Sequence, residues 1–260
     1  MIVNQYNNIV SGIFILVIFC VFVIVIIICY VLMRGNIKDS RVKDTNVIER
    51  ICLKCFISPH HTKIIHNSTC FIPSFYEGSS QDINYTTYYD YKDRSIYMNR
   101  LYYKNTDIPS VVRIRSYQKT PNKYLELKWK GIKIRGGLDN NLELMYDKNR
   151  SHRDYDKLMK YLHLIRSNKI IPVFSNSYKR ASFILSKDQH VRATLDSELI
   201  FNVNETTYIF PHNILELKIP KDYNKEKISD LKKSIESICK LKVDFLTFSK
   251  FEYGYSTYFP

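Results

Sequence analysis

Leu125-Glu126-Leu127-Lys128-Trp129-Lys130 alternates apolar and charged side chains without interruption. A two-residue period sends successive side chains to opposite faces of an extended strand. One face is therefore Leu, Leu and Trp, and the other carries Glu126, Lys128 and Lys130. Val112-Arg113-Ile114-Arg115 before it and Ile132-Lys133-Ile134-Arg135 after Gly131 have the same pattern. So do Val191-Arg192-Ala193-Thr194-Leu195-Asp196 and Leu215-Glu216-Leu217-Lys218-Ile219. A solvated sheet face usually mixes in Ser, Thr, Asn and both signs of charge, whereas these faces are mostly cationic with a few acids. The pattern predicts an α+β chain built on a closed antiparallel β-barrel, its charged faces turned into a polar tunnel.

The 260-residue chain has a formal net charge of +14, and all 39 Lys and Arg follow residue 33. Such a domain attracts polyanions. Ile9 to Met33 is a run of apolar side chains long enough to cross the roughly 30 Å hydrocarbon layer as one helix. It lacks the basic approach and small-residue cleavage site of a signal peptide. The spacing predicts a short tail at 1–8, a transmembrane helix at 9–33, a polar linker at 34–47 and one domain at 48–260. Arg34, Lys38, Arg41 and Lys43 follow the span, which places the domain in the cytosol by the positive-inside rule. The sequons at Asn67, Asn84, Asn149 and Asn204 decide little in so Asn-rich a chain.

Apolar stripes predict helices over 152–167, through Tyr155, Leu158, Met159, Leu162 and Ile165, and over 224–241, through Ile228, Leu231, Ile235 and Ile238. Cys52 and Cys55 fall on opposite faces of a strand, which argues against a zinc site with the nearby histidines. The chain has no phosphate loop of P-loop type, no kinase signature and no Ser/His/Asp grouping. It also has no RRM, KH or helix-turn-helix signature, so nucleic acid is not the expected polyanion. Arg113, Arg115, Lys128, Lys133, Arg180, Arg192 and Lys250 around one lumen would repel strongly without an anionic ligand. Glu216, on the same face as Lys218, reads either as an ion-pair partner or as a ligand for Mg²⁺ or Mn²⁺. Ion pairing is the expected role of Glu126 and Asp196.

Several segments, in order, resemble the catalytic domain of the vacuolar transporter chaperone (VTC) proteins, the polyphosphate polymerase branch of the triphosphate tunnel metalloenzymes. They are Lys54 in the first strand, Tyr88-Tyr89-Asp90, Val112-Arg113-Ile114-Arg115-Ser116-Tyr117 and Leu125-Glu126-Leu127-Lys128. The second half adds Tyr178-Lys179-Arg180-Ala181-Ser182-Phe183, Arg192-Ala193-Thr194-Leu195-Asp196, Leu215-Glu216-Leu217-Lys218 and Phe248-Ser249-Lys250-Phe251. The resemblance spans about Ile48 to Tyr255. It departs at Thr247, where many members carry a basic residue, and at Cys55, where an aromatic is usual.

The resemblance implies an eight-stranded antiparallel tunnel and polyphosphate synthesis from ATP. Carried over, Lys54, Arg113, Arg115, Lys128, Arg180, Arg192 and Lys250 act on the transferred phosphate. Lys130, Lys133, Arg135 and Lys218 bind the chain, and Glu216 holds Mn²⁺ or Mg²⁺. The partners are ATP and inorganic polyphosphate, with the membrane engaged through 9–33. Homo-oligomers or membrane partner subunits stay open, and a vacuolar or other acidic-organelle membrane is the expected site. A triphosphatase in the same tunnel and a non-catalytic polyphosphate-binding subunit are the alternatives.

Overall fold

A computed structural model of the protein describes residues 50–74, 81–102, 105, 107–129, 132–145, 147, 150–240 and 243–259. The expected tail, span and linker lie outside the described residues, as does Lys130. No helix among the described residues is long and apolar enough to cross a membrane. The strands are β1 (Arg50–Ile57), β2 (Phe71–Pro73), β3 (Gln81–Asp90), β4 (Val111–Tyr117), β5 (Lys123–Trp129) and β6 (Ile132–Leu138). The longer β7 (Ile171–Leu185) and β8 (Asp188–Val203) follow, then β9 (Thr206–Ile209) and β10 (Asn213–Pro220). The helices are α1 (Pro59–Asn67), α2 (Ser95–Tyr102), α3 (His152–Arg166), α4 (Lys225–Cys239) and α5 (Lys250–Tyr258).

The hydrogen-bonded order is β1-β10-β8-β7-β3-β4-β5-β6, with β2 on β7 and β9 on β8. This corrects the expected eight-stranded closed barrel. Ten strands form, and the path runs from β1 to β6 without closing among the described residues. Other backbone takes up the two edges: Leu246 N–H donates to Lys54 O at 2.8 Å, and Leu144 bridges to Leu138.

The sheet nevertheless curls. Lys128 on β5 lies in the electrostatic field of Glu216 on β10, and Cys52 on β1 in that of Lys128. β5 and β10 stand five steps apart in the strand order, which a flat sheet would spread over about 24 Å. Side chains from both halves therefore face one channel.

Apolar side chains of the alternating strands point outward under the helices. Val112, Leu125, Leu127 and Ile134 join Leu158, Tyr161 and Leu162 of α3 in one core. Cys55, Ala193, Leu195, Leu215, Leu217 and Ile219 form a second core with Ile65 of α1 and Ile235 of α4. The two helices read from the sequence are present, although Met159 of the proposed stripe is exposed. Ser151 and Asn224 cap them, each accepting from the backbone N–H three residues on.

α5 was not legible as a helix, and it closes one end of the channel. Its Phe251 and Tyr255 pack on Phe174, and Phe251 also meets Tyr88. Asp90 holds the arrangement together: it accepts from Ile96 and Tyr97 N–H at the start of α2 and from the Tyr255 hydroxyl at 2.7 Å. Gly254 permits the close approach, because a Cβ there would sit 2.5 Å from the Phe174 ring. A bulge in β8 at Glu198 (φ 52°) re-aims the following residues, so that Phe201 stands opposite Asn176 on the inner face. The expected polar tunnel is thus floored by aromatic rings at this end.

Candidate active site

Strand register places nearly all the expected residues on one inner face. Lys54 pairs with Glu216, Glu216 with Thr194, and Lys218 with Arg192. Arg180 pairs with Asp196, Arg113 with Glu126, Glu126 with Arg135, and Lys128 with Lys133. Directly paired residues share a face. Lys250 joins from the first turn of α5. Arg192 is exposed, and side-chain exposure of 46% for Lys133 and 35% for Lys218 marks these three as the outer part of the channel. Arg113, Arg115 and Lys250, at 9–13%, are the enclosed part.

Three inner carboxylates have different surroundings. Glu126 is 1% exposed and meets four cations: Arg113 at 2.6 Å, Lys133 at 3.4 Å, Arg135 at 3.5 Å and Arg115 at 3.9 Å. Burial opposes its charge, but Arg113, Arg115, Lys133 and Arg135 hold its carboxyl well below the usual range. Asp196 accepts a two-pronged pair from Arg180 at 2.6 and 2.7 Å and a third bond from Lys250 at 2.6 Å. Both acids therefore position cations, as expected. Among the described residues, ten inner cations outnumber the carboxylates Glu126, Asp196, Glu216 and Asp82, the last on β3 opposite Arg180, and leave a strongly positive channel, which a polyanion would compensate.

Glu216 differs. Its nearest ion-pair contact is Lys218 at 3.7 Å, and its side chain is 14% exposed. Burial pushes its pKa up, but Lys218, Arg180 and Lys54 outweigh that and bring it down to about 2. It is an ionised carboxylate with lone pairs to spare, facing the channel. No three His, Cys, Asp or Glu side chains converge among the described residues. A divalent ion here would need substrate oxygens and water besides Glu216, the usual manner of Mg²⁺ bound to phosphates. The donor set fits such an ion. Cys55 lies in the outer core while Cys52 is exposed, so the strand does split that pair.

Sequence reading missed a set of polar groups. The Arg135 guanidinium lies 3.5 Å over the Tyr124 ring and donates to the Tyr117 hydroxyl at 2.9 Å. Arg115 donates to Thr86 at 3.3 Å. Lys54 donates to the Phe248 carbonyl at 2.5 Å, which links β1 to the segment leading into α5. The Tyr178 ring lies beneath Lys250 at 4.5 Å and Arg180 at 5.2 Å. Inward-facing Ser, Thr, Asn and Tyr at the strand period were the available signal.

Lys128 gives a pH signature. The adjacent Arg113 guanidinium and burial, opposed by Glu126 and Glu216, lower its pKa to about 7. Between about 7 and the usual 10.5 the unfolded chain holds a proton that the ligand-free folded protein has lost. Stability should therefore rise with pH across that window, by at most about 1.4 kcal/mol per unit. Thermal unfolding from pH 6.5 to 9.5 checks this. Lys128→Met should flatten the rise, and an unchanged slope in that variant would contradict the assignment.

A family model described as VTC domain matches residues 49–259. No curated protein matches the chain. Solved structures of low identity do. One is a protein of Pyrococcus horikoshii OT3, 15% identical, with 80% of this chain and 99% of that one covered and a TM-score of 0.45. A second is a candidate adenylate cyclase of Bacillus halodurans, 13% identical, covering 81% and 97% with a TM-score of 0.47. A third is an adenylyl cyclase candidate from Hippeastrum with a dominant triphosphatase activity, 13% identical, covering 80% and 96% with a TM-score of 0.49.

Proposed function

The chain belongs to the VTC domain family, and from that membership we propose that it is a membrane-anchored polyphosphate polymerase. It moves the γ-phosphoryl group of ATP onto the end of an inorganic polyphosphate chain. The bond between the γ-phosphorus and the β–γ bridging oxygen breaks, an acceptor phosphate oxygen bonds to the same phosphorus, and ADP leaves. The observation that carries this reading is the gathering of Lys54, Arg113, Arg115, Lys128, Arg180 and Lys250 into one channel with an under-engaged Glu216.

Phosphoryl transfer needs positioning and charge neutralisation more than covalent help. Glu126 and Asp196 serve the first need, since they hold Arg113, Arg115, Arg180 and Lys250 in set orientations. The guanidinium forks and ammonium groups serve the second, offsetting charge on the transferred group without reorganising. Glu216, helped by substrate oxygens, would hold Mn²⁺ or Mg²⁺, which supplies Lewis-acid polarisation of phosphate oxygens. Arg192 and Lys218 at the outer part draw the polyanion in. The anchor is residues 9–33, with the domain on the cytosolic side of a vacuolar or other acidic-organelle membrane.

The aromatic floor favours a second reading, hydrolysis of a short linear triphosphate in the same channel, because a blind end suits a short substrate. One assay separates them. The detergent-solubilised full chain is given ATP and Mn²⁺ and the products are sized. Long chains are the expected result, free phosphate alone supports hydrolysis, and the absence of both products with retained polyphosphate binding would sink both enzymatic readings.

A further inference from the structure

Just above the aromatic floor lies a cluster of buried, uncharged polar atoms without hydrogen-bond partners. Asn176 is one inner-face step from Phe174 on β7, and Thr86 one step from Tyr88 on β3. Asn84 pairs with Tyr178 and Thr86 with Asn176, so the two asparagines are diagonal neighbours on the channel wall. Asn84, Asn176 and Tyr178 are each 1% exposed. Asn84 Oδ1, both polar atoms of Asn176 and the Tyr178 hydroxyl make no hydrogen bond. Buried polar groups of this kind are costly to leave unpaired, so a ligand or water should satisfy them.

Their chemistry is selective. The Asn176 amide N–H and the Tyr178 O–H can donate to phosphate oxygens. The Asn84 and Asn176 carbonyl oxygens can only accept, and an interior phosphoryl of a polyphosphate has nothing to donate. A terminal phosphoryl does, because its second ionisation, like that of other phosphomonoesters, falls near about 6 and leaves a P–OH on part of the population. Arg115, bonded to Thr86 beside Asn176, supplies the counter-charge.

We propose that Asn84, Asn176 and Tyr178 form a deep subsite that recognises the terminal phosphoryl group of a linear phosphate chain, seated against the floor made by Tyr88, Phe174 and Phe251. The inference rests on the channel being a polyphosphate site, and it deepens that reading. The protein would distinguish chain ends from chain interiors, and the blind floor would set how far the chain enters.

The test is a binding comparison on the detergent-solubilised full chain, without ATP or metal. Linear tripolyphosphate is compared with cyclic trimetaphosphate, which has no terminal group, at about 0.5 M salt to damp their charge difference. The expected result is a linear preference of at least about ten-fold, equivalent to about 1.4 kcal/mol. Asn176→Leu and Asn84→Leu should each reduce that preference while trimetaphosphate binding persists. Orthophosphate that competes with tripolyphosphate would add free phosphate as an occupant, and orthophosphate that does not would leave the chain terminus alone.

Equal binding of linear and cyclic forms by the wild-type chain would overturn the proposal and leave the channel reading intact. An unchanged preference in both variants would also overturn it, assigning the cluster to buried waters. Equal loss of both ligands in the variants would reduce the asparagines to a structural role. Failure of the wild-type chain to bind either ligand would remove the channel reading itself. Unfolding temperatures keep the variants interpretable: replacing an unsatisfied buried amide with an apolar side chain of similar shape should leave stability equal or higher.

Discussion

Glu126→Gln is expected to destabilise the ligand-free protein by about 3–5 kcal/mol, the usual cost of removing one partner from a buried ion cluster. The carboxylate is 1% exposed and within 4 Å of Arg113, Arg115, Lys133 and Arg135. The amide keeps the shape and loses the charge, so four cations lie together with their shared anion gone. The loss should be greatest at low salt. Added tripolyphosphate should restore much of it, because a polyanion bound only by the folded state stabilises by mass action. Thermal unfolding of the variant with and without tripolyphosphate checks both points. A variant as stable as the wild type, or one that tripolyphosphate fails to rescue, would show that Glu126 is not an electrostatic brace.

Glu216→Gln should behave in the opposite way. This carboxylate has one ion-pair contact, at 3.7 Å, so its loss disturbs the fold less. Turnover with Mn²⁺ should fall by at least about 100-fold, at or beyond the upper range seen even for outer-shell partners of bound metals. Binding of tripolyphosphate without metal should hold or tighten, since an anion that repels phosphate has gone. Parallel turnover and binding measurements read the two effects apart. Full turnover in the variant would remove the metal role of Glu216, and lost binding with lost turnover would make it a structural partner of Lys54 and Lys218.

The contrast between Glu126 and Glu216 also locates the limit of sequence reading. Both lie in a Leu-Glu-Leu-Lys alternation, Leu125 to Lys128 and Leu215 to Lys218. Period alone makes them equivalent. The partners brought by neighbouring strands make them different: β4 and β6 place Arg113 and Arg135 opposite Glu126, whereas β8 places Thr194 opposite Glu216 and β1 places Lys54, whose ammonium turns to the Phe248 carbonyl. Those partners are 9 to 162 residues away in the chain, and only the sheet order puts them in contact. The floor was hidden for a related reason. The stripe of Lys250–Tyr258, Phe251, Gly254 and Tyr255, spans only nine residues and has a glycine in the middle, so it was too short and too weak a helix signal, and the reason for that glycine, contact with Phe174, lies elsewhere in the chain.

Local alternation alone required that apolar and cationic side chains part company, because a strand has no other way to place neighbours; it therefore settled that a basic face would be gathered on strands, and that its natural complement is a polyanion. Strand number, the unclosed path among the described residues, the aromatic end and the division of Glu126, Asp196 and Glu216 into two braces and one under-engaged carboxylate came only with the assembled sheet. Each depends on distances between residues remote in sequence, and electrostatic and packing energies are functions of those distances, not of order along the chain.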